Sequence, residues 1–233
     1  KADAIIISPV DYEKMAEPIE NAMKKIPVIL IDSTVNSKYV LPSISCDNYK
    51  LGVSLAEEMV ENGKVDSNIA IVKNNLECSS VKERYEGFMS VMNNTRNNCI
   101  FWEVKGEKSA EYYTEARKML EWSDADAVVT FNSDMLEAFA QAQKDISNFN
   151  KEKLSVEIYG VGSTSRIISF LEEKVISATA IQNEFNIGYL AVKTAIYKLD
   201  NKNIDKSNIS STVINTKNMY SEENQKLLFP FVR

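Results

Sequence analysis

Short apolar runs rich in Ile and Val alternate along this chain with longer segments in which apolar residues return every three or four positions. The short runs, at 4–8, 28–31, 69–73, 100–103, 127–131, 157–160 and 178–181, predict strands. Because they are apolar at successive positions, they predict strands covered on both faces, as in a parallel sheet. The longer segments, at 12–24, 48–62, 80–92, 110–122, 134–144, 165–173 and 186–199, predict amphipathic helices. Their alternation predicts repeated strand and helix units, an α/β fold wound around parallel sheets. The run at 4–8 is apolar from its first residues with no element before it, so an upstream βαβ unit is expected to be missing from the first sheet. Asn and Lys cluster over 201–208, and the strand-like SSTVIN follows from Ser210, which predicts a return crossing of the chain.

Composition narrows the function classes. With 233 residues, 44% hydrophobic and 26% charged, the chain can bury one large or two modest cores. A formal charge of −6, with basic and acidic residues interspersed, gives no attraction to phosphate backbones, so no direct nucleic-acid partner is expected. The three cysteines, Cys46, Cys78 and Cys99, are widely spaced and odd in number, pointing neither to a disulfide framework nor to a zinc site. No apolar run approaches the roughly 20 residues of a membrane span. The opening KADAIIISPVD is too short and too acidic for a signal peptide. The chain has no histidine, which removes Ser-His-Asp and Cys-His nucleophile sites and a histidine general base. Neither a GxxxxGK[ST] loop nor a GxGxxG follows the first strand. Carboxylate pairs occur among the 33 acidic residues, but helix-facing spacing of this kind more often marks a solvated surface. No catalysis, cofactor or metal is expected.

Seven segments occur in a telling order: IIISPVD from Ile5, IPVILIDS from Ile26, SCDNYKLG from Ser45, SSVKERYEGF from Ser79, VVTFNSDM from Val128, YGVGSTS from Tyr159 and ISATAIQNEFNIGYLAV from Ile176. Together they resemble the ribose- and galactose-type periplasmic binding proteins, a family that also supplies the effector-binding cores of lactose-repressor-like regulators. The resemblance implies two doubly wound parallel-sheet lobes joined by three crossings, with a ligand cleft between them and the first lobe N-terminally incomplete. It places residues 1–46 and 183–209 in the first lobe and 47–182 and 210–233 in the second. Crossings are then expected near Cys46 and Asp47, near Gln182 and Asn183, and near 208–210.

By position in these motifs, Asp32, Lys82, Asn132, Thr164 and Gln182 fall where the family's ligand contacts lie. Carboxylates and amides suit a sugar because they can engage neighbouring hydroxyls in pairs. Asp32 and Asn132 have a plainer alternative as helix caps or loop groups. An aromatic platform is expected from Phe131, Trp102 or Tyr112, although each could equally be core. Departures from the family pattern bear on ligand identity: Ser33 follows Asp32 where such proteins often carry Arg, and Lys82 stands where Arg is usual. Thr164 likewise replaces a frequent acid. The expected function is an extracytoplasmic receptor that closes around a small polar ligand, a monosaccharide, and serves a transporter permease or a membrane sensor kinase. The alternative is the effector core of a cytoplasmic transcription regulator. The apolar tail, with Leu227, Leu228, Phe229, Phe231 and Val232, is expected either to pack on its own lobe or to dock a partner.

Overall fold

The computed structural model describes residues 2–106, 108–151, 154–202 and 209–229. The chain opens with β1 (Ile5–Ile7), α1 (Ala16–Met23), β2 (Val28–Ile31) and β3 (Ser43–Ile44). There follow α2 (Asn48–Glu61), β4 (Asn68–Lys73), α3 (Ser79–Met92), β5 (Asn98–Glu103) and α4 (Ser109–Trp122). Then come β6 (Ala127–Val129), α5 (Ser133–Asn150), β7 (Glu157–Val161), α6 (Ser165–Glu172) and β8 (Ile176–Gln182). The chain continues through α7 (Glu184–Leu199) and β9 (Ser211–Asn215) to α8 (Glu222–Leu228).

Among the described residues these strands form two sheets. One has the order β1-β2-β3, and the other the order β5-β4-β6-β7-β8-β9. Every neighbouring pair is parallel except β8 and β9, which run antiparallel and bring Gln182 opposite Ser211. The apolar runs behave as their composition predicts. Within β4, Ala70 and Val72 enter the core beneath α4, α5 and α6, while Ile69 and Ile71 enter the core shared with α2 and α3. The side-chain period of two thus feeds two cores from one strand. In the smaller sheet, Val28 and Leu30 face the Ile19 side of α1, and Ile29 faces Ile187 and Ala191 of α7.

Element boundaries shift where local chemistry intervenes. The helical pattern at 12–24 yields a helix only from Ala16, because the Asp11 carboxylate accepts the backbone N–H groups of Glu13 and Lys14 and holds a turn there. Helix α5 runs past the expected end at 144, through a polar last turn, to Lys151 in the left-handed conformation. Strand β3 is two residues long, and α8 carries too little periodicity to have been read. The tail packs on its own core: Leu228 is buried there, with Leu227 and Phe229 partly buried beside it. Phe231 and Val232 lie outside the described residues, as does position 208 of the expected third crossing. No helix among the described residues is long and apolar enough to cross a membrane.

Candidate functional site

In an open parallel sheet the loops leaving the carboxyl ends of the strands converge on one crevice, most sharply where the strand order reverses. Such a reversal occurs at β4, flanked by β5 on one side and β6 on the other. A cleft of about 950 Å³ lies there. Its lining includes Ser8 beyond β1, Asp32 beyond β2, Asn74 beyond β4, Val104 beyond β5, Asn132 beyond β6 and Gln182 at the end of β8. Both sheets therefore contribute, each from the same end of its strands.

At the floor of this cleft Asp32 is the central group. Its backbone is left-handed, φ 57°, an uncommon conformation for a residue with a side chain, and Asp is among those that tolerate it best. One carboxylate oxygen accepts from Arg84 Nη2 at 2.5 Å and from Gln182 Nε2 at 2.8 Å. The other accepts from Ser80 Oγ at 2.8 Å. Beside it, the Ser33 and Ser80 hydroxyls meet at 2.8 Å, and the Ser79 hydroxyl accepts the Thr34 N–H at 2.7 Å. The loop after β2 is thereby stitched to the first turn of α3.

Asn132 is both a cap and a lining group. Its Oδ1 accepts the Met135 N–H at the start of α5, and its Nδ2 donates to Asn74 Oδ1 at 3.1 Å. Gln182 Oε1 is buried without a hydrogen-bond partner among the described residues, an acceptor that asks for a donor. Acidic groups outnumber basic ones along the cleft: Asp11, Asp32, Glu77, Asp134 and Glu184 against Lys14, Arg84 and Lys105.

Of the six residues expected from sequence, Asp32, Asn132 and Gln182 line the cleft. The other three lie outside that lining. Lys82 faces solvent and pairs with Glu86 one turn along α3. The inward face of that helix carries Ser80, Arg84 and Phe88, at the four-residue spacing of a helical stripe, so position 82 turns away and the cation that α3 sends into the cleft is Arg84. Thr164 caps α6 by accepting the Ile167 N–H and donates to Glu137, away from the cleft. The Phe131 side chain packs edge-on against Tyr85 and Phe88 inside the core. Among the aromatic candidates, Tyr112 reaches the lining and Trp102 packs against the core. The signal that could have found Arg84 was a lone Arg at an otherwise buried helical position.

Residues 1–203 match a family model described as a periplasmic binding protein domain. The ribose import binding protein RbsB of Bacillus subtilis (strain 168) is 24% identical over 215 residues, which make up 88% of this chain and 66% of RbsB. The chain thus spans just under two thirds of that curated relative. Among solved structures, XylFII is 27% identical with a TM-score of 0.78, over 92% of this chain and 77% of XylFII. A carbohydrate transporter solute binding protein from Agrobacterium radiobacter, solved with D-arabinose, has a TM-score of 0.87 at 20% identity, over 97% of this chain and 78% of its own. That last likeness is one of fold.

Proposed function

The chain belongs to the periplasmic binding protein domain family, and from that premise we propose that it is an extracytoplasmic solute-binding receptor that closes around a monosaccharide. We assign β1, β2, β3 and α7 to a first lobe and the larger sheet with its helices to a second, the chain crossing between them near Cys46 and near Gln182. The observation that carries this reading is the meeting of Asp32, in the loop after β2 of the smaller sheet, with Arg84 of α3, a helix that packs against the larger sheet, at the floor of one polar cleft. A ligand that touches both lobes favours their closed arrangement by its differential affinity. Asp32, Arg84, Asn74, Asn132 and Gln182 offer carboxylate, guanidinium and amide groups suited to hydroxyls that both donate and accept. The reaction templates that need histidine have no place in the chain, and we propose binding without catalysis.

Solute-binding relatives support a receptor over the regulator alternative. RbsB is by its name a ribose import protein, and XylFII has been solved in complex with LytSN. A membrane permease or a sensor is therefore the kind of partner we propose. The test is a thermal-shift screen against pentoses, hexoses, inositols, amino acids and polyamines. At ligand concentrations about 100 times the dissociation constant, linkage adds about 2.7 kcal/mol of stability. A shift with a sugar that disappears in both Asp32→Ala and Asn132→Ala is expected. A shift with amino acids alone, or a sugar shift indifferent to both substitutions, overturns the proposal.

A further inference from the structure

Asn48 begins α2 immediately after the first crossing and is 2% exposed. It does not line the cleft, yet it is a buried amide in a helix whose other inward positions include Leu51 and Leu55. Its two polar atoms account for this placement. Nδ2 donates to the backbone carbonyl of Asp32 at 3.1 Å, and Oδ1 accepts from Arg84 Nε at 2.8 Å. Arg84 Nη2 then returns to the Asp32 carboxylate, closing a ring through three elements. Arg84 Nη1 makes a longer contact, 3.4 Å, to the Phe131 carbonyl.

A guanidinium is planar with five N–H donors in fixed directions, so engaging Nε on one partner and Nη2 on another sets its plane as well as its position. Of the two partners that do so, Asp32 belongs to the cleft and Asn48 to the crossing behind it. We propose that Asn48 is a positioning residue for the ligand site: acting through Arg84, it fixes the plane in which the guanidinium meets a ligand, and it ties that plane to the first crossing between the sheets. The inference rests on the cleft reading given under the proposed function. An Asp at 48 keeps the acceptor for Nε and loses the donor to the Asp32 carbonyl, whereas a Leu loses both.

The experiment has one arm that needs no ligand and one that does. In the unliganded protein, the Arg84 Nε–H signal, assigned by its disappearance in Arg84→Lys, is expected to exchange slowly with solvent. It should exchange fast in Asn48→Leu and stay slow in Asn48→Asp. Unchanged protection in a folded Asn48→Leu overturns the proposal, and if that variant does not fold, fast exchange in Asn48→Asp does so. In the second arm, D-ribose, D-xylose, D-arabinose and D-galactose are titrated, and the tightest of them is the probe. Asn48→Leu should weaken its binding about ten- to a hundredfold, the loss of a charge-assisted hydrogen bond. The same substitution should cost little more in an Arg84→Lys background, because it acts through the guanidinium. Equal losses in both backgrounds identify a general structural role and overturn the proposal. If none of these sugars binds the parent protein, the cleft reading fails, while the exchange arm still decides whether Asn48 holds Arg84.

Discussion

The Arg84 side chain is 6% exposed and its partner Asp32 is 24% exposed, so the guanidinium has given up nearly all of its water for protein contacts. Removing one member of such a pair leaves the other charge buried and unmatched, a change that costs about 3–5 kcal/mol where the pair is well enclosed. Arg84→Met should therefore lower the free energy of unfolding by about 3 kcal/mol in urea titrations, because it strands Asp32 and the Asn48 oxygen together. Asp32→Asn should cost at least as much, since the charge it leaves unmatched is the more deeply buried guanidinium. Two other groups resist ionisation. Burial pushes the Cys46 thiol up to about 11, and burial together with the hydrogen bond to Glu157 raises the Tyr159 phenol. Both hold their protons more tightly folded than unfolded, so the stability they contribute is whole below the ordinary values, 9.0 for the thiol and 10.0 for the phenol, and declines as pH rises above them, through about 11 for Cys46. Urea midpoints should fall between about pH 9 and 11, and Cys46→Ala should flatten that fall. A slope unchanged in that variant would remove Cys46 from the account. At this scale sequence was a partial guide. Asp32, Asn132 and Gln182 stand at strand ends, where backbone direction alone delivers them to the crevice. Lys82 and Thr164 were placed by motif position alone and Phe131 as an aromatic platform, and there the rotation of a helix or the pull of a core decides which way a side chain turns.

Helices α2 and α3 approach so closely that glycine is required on both. An added Cβ at Gly52 would overlap the backbone carbonyl of Arg84, and one at Gly87 would overlap that of Tyr49. This is the contact that brings Asn48 on one helix within reach of Arg84 on the other. Replacing glycine by alanine inside a helix ordinarily gains about 1 kcal/mol of propensity. Here overpacking of about 1–3 kcal/mol opposes it, against backbone that cannot rotate out of the way. Gly52→Ala and Gly87→Ala should both lower the melting temperature, and Gly52→Ala should also weaken ligand binding because it displaces the turn that carries Arg84. A higher melting temperature in either would mean the helices can part without cost. The seven early helices and the larger strands were legible because their periods persist over several turns or residues. Strand β3 and helix α8 were not, since two residues and seven residues give a period too little room to repeat. Helix α7 shows the limit of pattern from the other direction. Ile187, Ala191 and Ala195 are buried, while Phe185, Tyr189, Val192, Ile196 and Leu199 are about half exposed, so apolar positions on both faces do not say which one meets the sheet.

Taken as a whole, the cleft has a sign. Lys14 and Arg84 already pair with Asp11 and Asp32, which leaves Glu77, Asp134 and Glu184 facing Lys105. Walls with an excess of one charge raise the concentration of matching ligands and repel the opposite kind. A phosphorylated sugar should therefore bind about tenfold or more weakly than the same sugar without phosphate, with the gap narrowing as salt is added. Equal affinities by calorimetry would show that the carboxylates lie too far from the bound ligand to matter. The order of the strands has a further consequence, for synthesis. Strand β9 borders β8 in the sheet but follows α7 in the chain, and α7 packs against the other sheet. A ribosome therefore releases β8 with one side of its hydrogen-bonding ladder bare, and the strand that covers it emerges only after the chain has been to the smaller sheet and back. Throughout that interval the nascent protein presents an open parallel edge, the surface on which neighbouring chains pair with one another. Chain ends lost before 211–215 would leave that edge open for good.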